Sequence, residues 1–141
     1  RMESPTTKTE FRIDWCEIDP FGHVNNLAIL RYVQTARVQY LENIGLMQSH
    51  SKTGIGPILA SVTCQFCQPL FYPGMATVDS RVDLVKNTSF RIQHRVCNDK
   101  NEICAEAQDI IVLYDFAKNT KVPLPEDLKR KMGAGEESTD P

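Results

Sequence analysis

A single helical period followed only by two-residue periods constrains this chain more than any other feature. In LAILRYVQTARVQYLENIGL, Ile29, Val33, Ala36, Tyr40 and Ile44 recur at helical spacing, and Gly45 supplies a natural C-terminal stop. A helix of about 19 residues is about 28 Å long. Before it, from Thr9, Phe11, Ile13 and Trp15 alternate with Arg12, Asp14 and Cys16, the signature of a half-buried strand. MQSHSKTGIGP reads as a loop, on its Ser, Gly and Pro content.

Beyond Pro57 the period is two. Ile58, Ala60, Val62, Cys64 and Phe66 alternate; QPLFYPG then bends the chain; Val78, Val82 and Leu84 share a face, as do Phe90, Ile92 and Val96. In the last strand Ile103, Ala105 and Ala107 set one phase and Ile110, Val112, Tyr114 and Phe116 the other, which implies a bulge near Asp109 or burial on both faces. KVPLPEDLKRKM fits a Pro-started terminal helical turn.

The order is strand, long helix, then four strands in meander order: an α+β layout. One helix covers five strands only if the antiparallel sheet curls around it, leaving the convex face wet. Such a sheet has open edges, and pairing with a second copy removes one, so a homodimer is expected. A length of 141 residues fits one domain, taken as residues 9–132 between an N-terminal extension (1–8) and a polar, disordered tail (133–141). The net charge of -2 gives no field to attract nucleic acid. No apolar stretch is long enough to span a bilayer and RMESPTTKTE holds no secretory signal, so the expected location is the cytoplasm. Five cysteines (Cys16, Cys64, Cys67, Cys97 and Cys104) read as free thiols, and the C-x-x-C at Cys64 lies in a strand pattern rather than at a helix N-terminus.

The chemistry concentrates in EIDPFGHVNN, residues 17–26, directly before the helix. Asp-Pro-Phe-Gly is a good turn, and Asn25 or Asn26 suits a helix N-cap, so a purely structural reading is available. The juxtaposition points further. A helix N-terminus presents unpaired N–H groups and partial positive charge, which stabilise a developing oxyanion, and a turn folds the Asp19 carboxylate back beside it. Gly22 lets backbone approach a ligand without a Cβ. A carboxylate beside a polarised carbonyl attacks it or deprotonates a water, and either route is acyl transfer.

D-P-F-G-H-V-N-N followed by Y-x-x-x-A-R-x-x-Y-L-x-x-x-G resembles the hotdog-fold acyl-CoA thioesterases of the 4-hydroxybenzoyl-CoA thioesterase type, including the YbgC-like enzymes. The resemblance extends from about Thr9 to Met132 through Q-P-L-F-Y-P-G, N-T-S-F and V-P-L-P-E-D-L; relatives often carry Asp where this chain has Met75. It implies a curled five-stranded antiparallel sheet around one long central helix, dimers with a continuous sheet, often a homotetramer of two such dimers, and a thioester at the dimer interface. It implies Asp19 as catalytic nucleophile or general base, the backbone N–H near Asn26 as oxyanion donor, and His23 orienting substrate or water, with a structural hydrogen bond the alternative for His23. Gly22, Val24, Asn25, Lys86, Ser89 and Arg91 are the candidate substrate contacts; Lys86, Arg91 and Lys52 also read as ordinary solvated charges.

No G-x-S-x-G or H-E-x-x-H occurs, and His23, His50 and His94 are scattered, so neither a serine hydrolase nor a metal site is expected. The expectation is a thioesterase acting on an acyl-CoA small-molecule substrate without a separate cofactor, CoA being part of the substrate. The alternative is a non-catalytic acyl-CoA-binding sensor or scaffold dimer.

Overall fold

A computed structural model describes residues 5–133; residues 1–4 and the polar tail beyond Gly133 lie outside it. The chain runs β1 (Thr7–Arg12), a 3-10 turn (Trp15–Glu17), α1 (Asn26–Asn43), α2 (Leu46–Thr53), β2 (Ile55–Phe66), β3 (Met75–Val85), β4 (Ser89–Cys97), β5 (Ile103–Asp115), β6 (Thr120–Lys121) and α3 (Glu126–Lys131). The curled antiparallel sheet cups α1, whose Ile29, Val33, Ala36 and Tyr40 are buried together with the C-cap Ile44, as their spacing requires. No described helix is long and apolar enough to cross a membrane.

The meander order holds only for β3, β4 and β5. The sheet order is β1-β3-β4-β5-β2, with β6 on the end of β5, so β2 lies at the opposite edge from β1. The segment after β2 carries the chain across beneath the start of α1. Cys67 and Gln68 donate to the Cys104 carbonyl, buried Leu70 accepts from Val24 N–H, and Ile13 N–H donates to the Gly74 carbonyl. These bonds pin the crossing, which no local periodicity could have reported.

Several boundaries also differ from the sequence pattern. β1 begins at Thr7, inside the expected extension, and Trp15 leaves the strand phase in the 3-10 turn, where it is 75% exposed. The expected loop after Gly45 is α2, bracketed by Gly45 and Gly54 in the left-handed region (φ 82 and 76). Three bulges, at Ala60, Asp83 and Cys104, shift strand phases. They put Pro57 and Leu59 on the inner face with Val62, Cys64 and Phe66, opposite the inward residues of β5, and they bury Val85 rather than Leu84. No bulge sits at Asp109. Ala105, Ala107, Asp109, Ile111 and Leu113 keep one inward phase, and the buried carboxylate disguised it.

Candidate active site

Residues 18–24 close into a loop at the mouth of α1. Ile18 and Val24 form a bridge, Asp19 N–H donates to the His23 carbonyl at 2.7 Å, and Gly22 N–H donates to the Asp19 carbonyl at 3.1 Å. Gly22 holds φ 87, which explains glycine there; a Cβ would meet nothing within 4 Å, so close packing within the chain does not. Asp19 Oδ1 accepts from the N–H groups of Phe21 (2.9 Å) and His23 (3.1 Å). The turn-shaping role is therefore real, yet it engages one oxygen. Among the described residues, Oδ2 of this half-buried carboxylate has no hydrogen-bond partner.

Asn25 is the N-cap, and Asn26 is the first helical residue. Asn25 Oδ1 accepts from Ala28 N–H at 2.7 Å, while its Nδ2 and N–H donate to the Glu17 carbonyl at 3.0 and 2.8 Å. Capping at Ala28 leaves the Asn26 and Leu27 N–H groups without acceptors among the described residues, at an exposed turn. Val24 is buried and anchored to Leu70, so it positions the loop. The His23 ring meets the Phe71 ring edge-on, with centroids 5.3 Å apart, and His23 makes no side-chain hydrogen bond among the described residues.

The remaining candidates lie elsewhere. Lys86, Ser89 and Arg91 flank the β3–β4 hairpin, at the end of the sheet opposite the Asp19 loop, and the Lys86 N–H donates to the Ser89 carbonyl. Arg91 is engaged by Asp83 through Nε (2.8 Å) and Nη2 (3.0 Å), so its guanidinium is not a free cation. One chain does not bring these three to Asp19. At Met75, the position where Asp is common in relatives, the backbone N–H donates to the Asp99 carboxylate at 3.3 Å.

Two functional-looking features carry no local sequence signature. Glu17 is buried beneath the loop, accepting from Asp14 N–H at 3.0 Å and from Tyr32 Oη, with Arg31 3.4 Å away. Burial opposes its ionisation, but these donors outweigh burial and hold its carboxyl below the usual range. Under α1, Asp109 (0% exposed) accepts from Arg37 Nε (2.8 Å) and Nη2 (3.1 Å) and bonds His94 Nε2 (2.6 Å), whose Nδ1 bonds Ser80 Oγ (2.7 Å). Burial again raises and the His94 and Arg37 partners lower the Asp109 pKa, with a net decrease. A charged residue at an inward strand position was the available signal for that network. Its serine and histidine are 0% and 1% exposed, so they make an internal staple rather than a nucleophile.

The family model of the thioesterase-like superfamily matches residues 13–132, from just after β1 to just past α3. The chain belongs to that superfamily. Among curated relatives, it is 27% identical over 126 residues to the chloroplastic acyl-acyl carrier protein thioesterase ATL3 of Arabidopsis thaliana, covering 88% of this chain and 66% of that protein. It is 20% identical over 126 residues to the long-chain acyl-CoA thioesterase FadM of Escherichia coli, covering 89% and 96%. A Thermus thermophilus thioesterase solved with coenzyme A and zinc superposes with a TM-score of 0.78 at 23% identity, covering 94% of this chain and all of the other. The curled sheet on one long helix is thus the hotdog thioesterase fold.

Proposed function

We propose that this thioesterase-superfamily chain hydrolyses an acyl-CoA to the free acid and CoA, at a site built from Asp19 and the first turn of α1. The observation that carries the reading is the pairing of a carboxylate with one uncommitted oxygen and a helix mouth with two uncommitted N–H groups, joined by one closed loop. The Asn26 N–H, with Leu27 beside it, holds the carbonyl oxygen as negative charge develops. As general base, Asp19 takes a proton from water, the oxygen adds to the carbonyl carbon, and the C–S bond breaks as the sulfur takes up a proton. As nucleophile, Asp19 adds directly and releases the thiol, and water then cleaves the mixed anhydride. His23, carried on this loop and packed edge-on against Phe71, is the group that orients substrate or water.

The scheme uses no cofactor, since CoA is part of the substrate. Membership of the 4-hydroxybenzoyl-CoA thioesterase or YbgC-like type, action in the cytoplasm and assembly as a homodimer complete the reading. The D-P-F-G-H-V-N-N motif supports the first, and the open β2 edge supports the last. Two-fold antiparallel pairing along β2 would bring the partner's hairpin end toward this mouth, the arrangement in which Lys86 and Ser89 serve as substrate contacts in trans.

Replacing Asp19 with Asn keeps the acceptor that shapes the loop and removes the reacting carboxylate. Thiol release from acyl-CoA is expected to fall by roughly 10²- to 10⁴-fold, the usual contribution of such a group. Near wild-type turnover would remove Asp19 from the mechanism.

A further inference from the structure

Asp19 and the open donors of α1 belong to different elements, and something must hold the two in register. Among the described residues, no hydrogen bond ties residues 18–23 to α1; Asp19 Oδ1 accepts only from Phe21 and His23, within its own loop. Val24 is anchored to Leu70 on the crossing segment, so the tie to the helix itself runs through Glu17 and Asn25. The Glu17 carbonyl accepts from the N–H and the Nδ2 of the N-cap Asn25, at 2.8 and 3.0 Å. Its carboxylate reaches past the cap to the side of the same helix, where Oε1 accepts from Tyr32 Oη. Oε1 also accepts from Asp14 N–H at 3.0 Å, which closes the 3-10 turn that leads into the loop.

Each of these ties is stiff. Tyr32 is buried and its ring stacks on Phe11 of β1, with centroids 4.8 Å apart and planes 24° from parallel, so the hydroxyl is aimed by packing from both sides. Burial and the neighbouring Glu17 carboxylate both raise the Tyr32 pKa, which keeps the phenol protonated as a donor. Glu17 is held ionised by its donors, and hydrogen bonds to an ionised acceptor are roughly twice as strong as neutral ones. A buried, hydrogen-bonded charge contributes little net stability over an apolar filling of the same volume, while it fixes a direction that apolar contacts leave free.

Resting on the thioesterase reading above, we propose that Glu17 is a positioning residue for the hydrolysis: clamped to Tyr32 and Asn25, it sets the Asp19 carboxylate against the Asn26 and Leu27 N–H groups without itself touching substrate. Asp19 lies two residues after Glu17, and Asn26 directly follows Asn25. A tilt of the turn against the helix therefore passes almost undiminished to the two groups that must meet at one carbonyl. Misplacing reacting groups by about 1 Å costs roughly 10²-fold in rate.

The test follows kcat and KM for thiol release from an acyl-CoA that the wild type turns over, in Tyr32→Phe, in Glu17→Ala and in the two combined, at a temperature where circular dichroism shows each folded. Tyr32→Phe keeps the ring on Phe11 and removes only the hydroxyl. It should lower kcat roughly tenfold and leave KM within about twofold, because the geometry that loosens is that of the reacting groups rather than of the bound CoA. Glu17→Ala should cost roughly 10²-fold, and adding Tyr32→Phe to it should cost nothing further, since both act through one bond. Leu128→Ala is the stability control: packed on α3 among Tyr40, Leu41 and Phe90, it should lower the thermal midpoint and leave kcat in place. Should Glu17→Ala not fold, Tyr32→Phe decides alone. Undiminished kcat in the folded variants, independent losses that multiply in the combined one, or an equal loss of kcat in Leu128→Ala would overturn the positioning role alone. A wild-type chain that releases no thiol from any acyl-CoA would overturn the thioesterase reading and the positioning role with it.

Discussion

On the proposed mechanism, Asn25 decides where the reacting carbonyl can sit. Its side chain takes up the Ala28 N–H, so the open donors of α1 are confined to Asn26 and Leu27, and its own N–H and Nδ2 tie the cap to the Glu17 carbonyl. Asn25→Ala would leave the Ala28 N–H only its 3.1 Å bond to the carbonyl at position 25 and loosen the cap from the 3-10 turn. Loss of such a cap costs about 1 kcal/mol of stability, seen as a lower midpoint in thermal unfolding. On that mechanism the donors serve the developing oxyanion more than the ground state, so the accompanying loss in thiol release should appear in kcat more than in KM. This part of the site was legible, since turn chemistry at Asp-Pro-Phe-Gly and capping by Asn are local rules. Glu17 was not, although it stands two residues from Asp19: its burial depends on Tyr32 and Arg31, which only the folded helix brings over it.

At the scale of elements, the joint between α1 and the sheet is electrostatic as well as apolar. Arg37 on α1, His94 on β4 and Asp109 on β5 share one buried carboxylate, whose folded-state pKa lies below the unfolded one. The sign follows from that direction. The pair's stability is fully present above the unfolded carboxylate value of about 4 and is lost as pH falls through the lowered folded value. Glu17 beneath the loop acts in the same direction. Wild-type protein should therefore lose stability as pH falls below about 4, and Glu17→Gln should be less stable at pH 7 but show a shallower decline, measurable by urea unfolding at a series of pH values. The elements misread from sequence share a cause. Ser, His, Lys and Thr in MQSHSKTGIGP look like loop composition, yet two left-handed glycines and the burial of Leu46 make a helix of it. The inward Asp109 broke an apolar count without breaking the strand, because its charge is answered by a residue 72 positions away.

The whole molecule has two sheet edges of unlike character. On β1, Lys8, Glu10 and Arg12 are all exposed, and charges of this kind discourage another strand from pairing. On β2, the 12 residues IGPILASVTCQF include no charge, and Leu59, Val62 and Phe66 stand partly exposed on the inner face. A long uncharged edge next to half-covered apolar side chains is the surface a second copy would close, and a two-fold axis would bring the middle of β2 against itself. Ser61, exposed beside the Ala60 bulge, lies near that middle. Ser61→Glu should therefore set two like charges across the axis and move the sedimentation coefficient from that of a dimer toward that of a monomer, more strongly at low salt than at high salt. If catalysis draws groups from the partner's hairpin end, thiol release should fall in step with the dimer population as protein is diluted. A wild-type chain that sediments as a monomer at micromolar concentration and still turns over would show that the β2 edge needs no partner.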